Sequence, residues 1–250
     1  MNELLKNISK ERILLLDGAL GTMIQRYALG ENDFRGERFA DHNRELKGCN
    51  EVLALTSPHI LREIHSQYLE AGADIISTDS FNANRLSLSD YGLEKYSYEI
   101  SRRAAEIARE TADRFTAQNP SKPRFVAGSV GPTNRSSSIV SDIDRPDLRE
   151  TSFQGLVAAC TEQIAGLIDG GADILIIETI FDTLNAKAIL YAAGEAMVKC
   201  GRKLPVMLSG TIADTSGRLL SGQTLEAFYT SVSHAELFSI GFNRDLGTQP

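Results

Sequence analysis

The chain has 250 residues, 42% of them hydrophobic and 24% charged, which suits one large α/β domain or two small ones and excludes a disordered or collagen-like polymer. Lys and Arg total 26 against 33 Asp and Glu, a net charge of −7, so the basic footprint of nucleic-acid or anionic-membrane binding is missing. No apolar run reaches the ~18 residues of a spanning helix. Met1-Asn2-Glu3-Leu4-Leu5-Lys6 lacks the cationic and apolar regions of a signal peptide, and the expected location is the cytoplasm.

Runs of strand length fall at residues 13–17, 74–78, 124–130, 173–178, 205–209 and 237–241, each apolar enough for a buried parallel strand. Between them lie stretches of helical period at 58–71, 96–117, 147–169, 184–199 and 224–233. Ser57-Pro58 predicts an N-cap with Pro at the first helical position, and Asp147 with Glu150 has capping-box spacing. Gly72, Gly170-Gly171 and Gly201 stand where helix ends need tolerance of positive φ. Cys49, Cys160 and Cys200 are widely spaced and odd in number, which predicts reduced thiols without a disulfide framework or zinc knuckle.

Gly72-Ala73-Asp74-Ile75-Ile76 and Gly171-Ala172-Asp173-Ile174-Leu175 are near copies, each closing a helix and opening a strand. This repetition predicts an α/β fold of (β/α)8 TIM-barrel type, since no Gly-x-Gly-x-x-Gly turn follows the first strand to mark a dinucleotide fold. At the observed strand spacing the chain holds about six of eight βα units. It is expected to stop at Pro250 before the barrel closes, with open edges through which copies self-associate.

In such a fold the active site lies where strands end and βα loops begin. The first strand ends Asp17-Gly18-Ala19-Leu20-Gly21, a carboxylate beside small residues whose N–H groups suit an anion nest or a simple turn. Glu178 closes the apolar run Ile174-Leu175-Ile176-Ile177, where an ionised side chain needs a cation, from a ligand or from a loop Arg. Asp17 and Glu178 together suit an ammonium group while the nest holds a carboxylate, the pattern an α-amino acid requires. A carboxylate acid/base pair is the competing chemistry. The polar stretches 30–50 and 132–149 are long enough to be lids or solvated excursions. His42, His59, His65 and His234 are dispersed, and the spacing of His59 and His65 does not place them on one helix face.

Several of these segments carry a resemblance. Leu16-Asp17-Gly18-Ala19-Leu20-Gly21-Thr22, Tyr68-Leu69-Glu70-Ala71-Gly72-Ala73-Asp74, Gly128-Ser129-Val130-Gly131-Pro132-Thr133-Asn134, Glu178-Thr179-Ile180-Phe181-Asp182-Thr183 and Ser209-Gly210-Thr211-Ile212 resemble the homocysteine S-methyltransferase family. Within it, they are similar to the N-terminal homocysteine-binding module of cobalamin-dependent methionine synthase. The likeness runs from about residue 10 to 243 and implies one homocysteine-binding barrel domain over residues 1–250, C-terminally incomplete. It implies a methyltransferase of methionine biosynthesis that methylates the homocysteine thiolate. Asp17 and Glu178 would meet the substrate ammonium and the backbone of Gly18 and Ala19 its carboxylate, with Asn82 also lining the site. The implied cofactors are zinc, which makes the coordinated sulfur a thiolate, and methylcobalamin and 5-methyltetrahydrofolate carried by partner modules.

The sequence departs from the family in two places. Arg244 occupies the position of the first zinc-binding cysteine, and the adjacent cysteine pair that follows the last strand would lie beyond Pro250. Arginine cannot act as a ligand, because it stays protonated. No metal site is therefore expected, and poor or incomplete substrate binding follows. An inactive, self-associating barrel fragment is the alternative reading. The second departure is Asp79, where the family usually has asparagine.

Overall fold

The structure, a computed structural model, describes residues 2–140, 142–213 and 215–244. Helix α1 (Asn2–Glu11) opens the chain, and α2 (Leu20–Gln25), α3 (Glu31–Arg35), α4 (Leu53–Thr56) and α5 (Pro58–Glu70) precede β1 (Ile75–Ser77). Helices α6 (Arg85–Leu88) and α7 (Ser97–Gln118) lead to β2 (Phe125–Val130), α8 (Phe153–Asp169) to β3 (Ile174–Ile180), α9 (Thr183–Cys200) to β4 (Val206–Ile212), and α10 (Leu225–Val232) to β5 (Ser239–Arg244). The strands form one parallel sheet in the order β1-β2-β3-β4-β5. No helix among the described residues is long and apolar enough to cross a membrane.

Strand periodicity divides the core. Leu175 and Ile177 of β3 face the helices, packing with Leu156, Ile164 and Leu167 of α8 and Ile189 of α9. Ile174 and Ile176 face the other way, where they meet Phe125, Ala127, Ile75 and Leu5 of α1. Both faces of the strand are therefore apolar, which is why the run carries no polar alternation.

Five strands form where six are expected. Residues 13–17 make only an isolated parallel bridge between Leu16 and Ile75, with the Asp17 N–H donating to the Ile75 carbonyl at 2.9 Å. This segment is paired along one side only, and Ile13 and Leu15 are 84% and 54% exposed, so no continuous ladder develops. Helix α8 begins at Phe153 instead of 147. Ser152 takes its N-cap, the hydroxyl accepting the Gly155 N–H at 3.0 Å, while Glu150 accepts the N–H of Ser136. Pro58 opens α5 as expected, but the Ser57 hydroxyl donates to the Asp33 carbonyl and makes no cap. Gly72, Gly171 and Gly201 have φ of 111°, 98° and 63°, as helix termini in the left-handed region require; Gly170 keeps a helical φ of −76°.

The repeated Gly-Ala-Asp explains itself at the amino ends of the strands. Asp74 is buried and accepts the Leu15 N–H at 2.9 Å and both guanidinium nitrogens of Arg12 at 2.8 Å. Asp173, also buried, accepts the Val126 N–H at 3.0 Å and a nitrogen of Arg109 at 2.5 Å. Each aspartate thus ties its strand to the one before it and carries its own counter-ion, which burial demands. Burial pushes Asp74 up, but Arg12 and the Leu15 N–H outweigh it and hold the carboxyl below its ordinary value.

The stretch 30–50 is no free lid. Phe34, Phe39, Leu46 and Cys49 are buried in a core shared with α4, α5 and α7. Glu31 accepts the N–H groups of Leu46 and Lys47, and Arg35 donates to the carbonyls of His42 and Arg44. In the stretch 132–149, Ser136 and Ser138 are tied to Asp182 at 2.7 and 2.5 Å, and the segment from 143 onward is exposed.

Helices α7 and α8 approach closely at Gly166, where an added Cβ would stand 2.5 Å from the Tyr98 carbonyl oxygen. Gly166→Ala is expected to lower the unfolding free energy by about 1–3 kcal/mol through overpacking, measured by urea denaturation against Gly194→Ala, where no atom lies within 4 Å.

Candidate functional site

A cavity of about 690 Å³ opens at the carboxyl ends of the strands, lined among others by Asp17, Gly18, Ala19, Glu51, Ser77, Asp79, Asn82, Ser129, Glu178 and Asn243. The five residues singled out as substrate contacts, Asp17, Gly18, Ala19, Asn82 and Glu178, all border it. They come from different βα junctions, and parallel pairing delivers those junctions to one end of the sheet.

Asp17 follows the Leu16 bridge and is fixed by the last residue of β1. The Ser77 N–H donates to Asp17 Oδ2 at 2.8 Å and its hydroxyl to Oδ1 at 2.9 Å. Glu178 is aimed by an irregularity in β3. The pairing register with β4 shifts between Ile177 and Ile180, and Thr179 adopts φ 60°, a left-handed conformation that a β-branched residue adopts at a cost. The Ser129 hydroxyl of β2 donates to Glu178 Oε1 at 2.6 Å. Strain at the residue after a site carboxylate is the pattern by which a fold holds a functional side chain.

A chain of buried hydroxyls supports both carboxylates. Ser129 N–H donates to Thr78 Oγ1 at 2.9 Å, Thr78 and Ser80 hydroxyls lie 2.6 Å apart, and Ser80 donates to the Ser129 carbonyl at 2.7 Å. Gln163 of α8 reaches the Ser80 carbonyl at 2.6 Å. These bonds lock the ends of β1 and β2 together before any ligand arrives.

Gly18 is needed for close approach. An added Cβ would stand 2.9 Å from the Tyr68 hydroxyl, which donates to the Ala19 carbonyl at 3.1 Å. The N–H groups of Gly18 and Ala19 have no acceptor among the described residues, so they are available to an anion at the cavity rim.

Four carboxyls border the cavity, while no Lys, Arg or His does among the described residues. Burial pushes Asp17 up to about 7; the two bonds from Ser77 act downward and the charge of Glu178 upward. Burial also raises Glu178, with the Ser129 hydroxyl opposing. Glu51 and Asp79, buried more deeply, are raised by the same cause. A cavity of this kind either keeps protons on its acids or takes up a cation.

Glu51 was not among the expected site residues. It follows the buried Cys49 and borders the apolar run Val52-Leu53-Ala54, and an acid entering such a run is the signal that marks it. Ser77 and Ser129 carry no comparable signal, because only strand pairing brings their hydroxyls to the two acids.

The remaining candidates lie elsewhere. Cys160 is buried in the helix-side core, its thiol pushed up to about 12 by burial; burial likewise raises Cys49. All three cysteines are free, with Cys200 partly exposed at a helix end. His65 is fully buried, with neither ring nitrogen partnered, and burial pushes it down to about 4. Among the described residues no group of three His, Cys, Asp or Glu side chains is placed to hold a metal ion. The donors at the cavity are carboxylates and hydroxyls, a hard set that does not fit the cysteine-bound zinc the resemblance implies. Arg244 lies at the end of β5, paired through its backbone with Ile212; its side chain and residues 245–250 lie outside the described residues.

The fold has counterparts among solved structures. The homocysteine methyltransferase MmuM from Escherichia coli superposes in its metallated form with a TM-score of 0.72 at 23% identity, covering 96% of this chain and 77% of that one. Its oxidised form gives a TM-score of 0.69 at 23% identity over 92% and 73% of the two chains, and its apo form 0.66 at 24% over 94% and 73%. At these identities the likeness is one of fold. The model of the homocysteine S-methyltransferase family matches residues 14–244, and the chain therefore belongs to that family.

Proposed function

We propose that the cavity binds homocysteine as an amino acid and presents its sulfur for methylation to methionine, as the homocysteine-binding module of a methionine synthase does. The observation that carries this reading is the pair Asp17 and Glu178, half-buried, fixed by Ser77 and Ser129 and facing a cavity with no cationic side chain among the described residues. A ligand ammonium supplies the missing positive charge. Its carboxylate goes to the free N–H groups of Gly18 and Ala19, and Asn82 borders the same space. In the reaction the sulfur loses its proton and forms a bond to the methyl carbon, while the donor leaves with the electron pair of the bond it breaks. The described residues offer no thiolate set for zinc, and no step is assigned to a metal. In this reading the sheet is the larger part of an eight-fold barrel domain, its partners are the cobalamin- and folate-binding modules that carry methylcobalamin and 5-methyltetrahydrofolate, and its location is the cytoplasm.

A second reading, a non-catalytic barrel that self-associates, is favoured by the half-paired edge at Leu16, where Ile13 and Leu15 are exposed. Sedimentation separates the two: a concentration-independent monomer that binds homocysteine excludes it.

Charge-assisted hydrogen bonds contribute roughly 1.5–3 kcal/mol, so Asp17→Asn and Glu178→Gln are each expected to weaken L-homocysteine binding by about tenfold to a hundredfold in calorimetric titration. Unchanged affinity in both variants removes the ammonium assignment. Asp17 must be ionised to pair with the ammonium and its carboxyl is pushed up to about 7. Homocysteine affinity is therefore expected to rise as pH increases through about 7, and Asp17→Asn to flatten that rise.

A further inference from the structure

The cavity holds a second pair of acids, Glu51 and Asp79, that the ammonium clamp does not use. Asp79 is 6% exposed and Glu51 7%, and both border the cavity. Their surroundings differ. Glu51 Oε1 accepts the Asn82 N–H at 2.9 Å, and the Cys49 thiol points at Oε2 from 4.0 Å. Asp79 Oδ2 is buried without any hydrogen-bond partner. The titratable groups around the pair are Cys49, Tyr91, Asp17 and Glu178, all neutral or anionic, and no positive side chain borders the cavity among the described residues.

Two buried carboxyls near one another do not both ionise. The one already receiving an N–H keeps the charge, and the one with a bare buried oxygen keeps the proton. We propose that Glu51 and Asp79 hold one proton between them, carried by Asp79, and that this neutral acid is a positioning group of the cavity, a hydrogen-bond donor available to the anionic part of a bound amino acid. The donor role rests on the amino-acid reading of the site; the proton assignment does not. Burial and the Glu51 charge push Asp79 in the direction this requires.

The consequence is a proton-linked site. A carboxyl raised in the folded state loses its stabilising contribution as pH climbs from the unfolded value toward the folded one. Relative to D79N, the wild-type protein is therefore expected to melt at progressively lower temperature as pH rises above the ordinary aspartate range. Infrared spectra recorded above the ordinary aspartate range are expected to show the band of a protonated carboxyl in the wild type, diminished in D79N. E51Q, which removes the neighbouring charge, is expected to move the disappearance of that band to lower pH. In homocysteine titrations the wild-type affinity is expected to fall once Asp79 ionises, and D79N to lessen that fall.

A wild-type spectrum with no such band, a band undiminished in D79N, or a melting difference that does not change with pH overturns the shared proton. Should D79N not fold, an unchanged band titration in E51Q overturns it. A band that follows Asp79 in a protein that does not bind homocysteine upholds the proton assignment and overturns the donor role together with the amino-acid reading.

Discussion

A carboxylate delivered to the end of a buried parallel strand has to meet a cation, keep a proton or receive hydrogen bonds, and this protein delivers four to the same place. Because every strand of the sheet points the same way, Asp17, Asp79 and Glu178 reach one end, and the turn holding Glu51 closes over it. None of them meets a lysine, arginine or histidine at the cavity among the described residues. The electrostatic incompleteness of the cavity is thus built into the fold, and it is this that the proposed ammonium of an amino acid would complete.

The opposite end of the sheet solves the same problem differently. Asp74 and Asp173 are buried, as Glu51 and Asp79 are at the cavity, yet each carries its own arginine and an N–H of the preceding segment. These contacts are satisfied within the protein, so they pin register and leave nothing for a ligand. The contrast separates carboxylates satisfied within the protein from those left without a cation by their partners, since burial alone does not tell Asp74 and Asp173 from Glu51 and Asp79.

Geometry at the site is held by hydroxyls and by strain. Ser77 occupies both oxygens of Asp17, Ser129 takes one of Glu178, and the Thr78, Ser80 and Gln163 network fixes the strand ends behind them. The irregularity at Thr179 turns Glu178 toward the cavity instead of along the regular pleat. Rotamers locked in this way lose little entropy when a ligand arrives, which is how a preformed site gains affinity.

Much of this was legible in the residues themselves. Apolar runs located the five strands and the helices between them, the repeated Gly-Ala-Asp announced a repeating βα unit, and Asp17 and Glu178 stood out as acids at the ends of apolar segments. Local pattern suffices there because a buried strand must be apolar on both faces and a helix must end in a residue that tolerates its last turn. Tertiary structure decided the rest. Whether 13–17 becomes a strand depends on what pairs with it on both sides, and here only Leu16 and Ile75 bridge. That Ser152 caps α8 while Glu150 accepts the Ser136 N–H, that 30–50 is packed wall instead of lid, and that Glu51 and Asp79 are both buried at one cavity are outcomes of contacts between residues far apart in the chain. Sequence determines which groups carry charge and where strands end; only the folded sheet decides which of those charges are left without a partner, because desolvation and pairing are properties of neighbours in space.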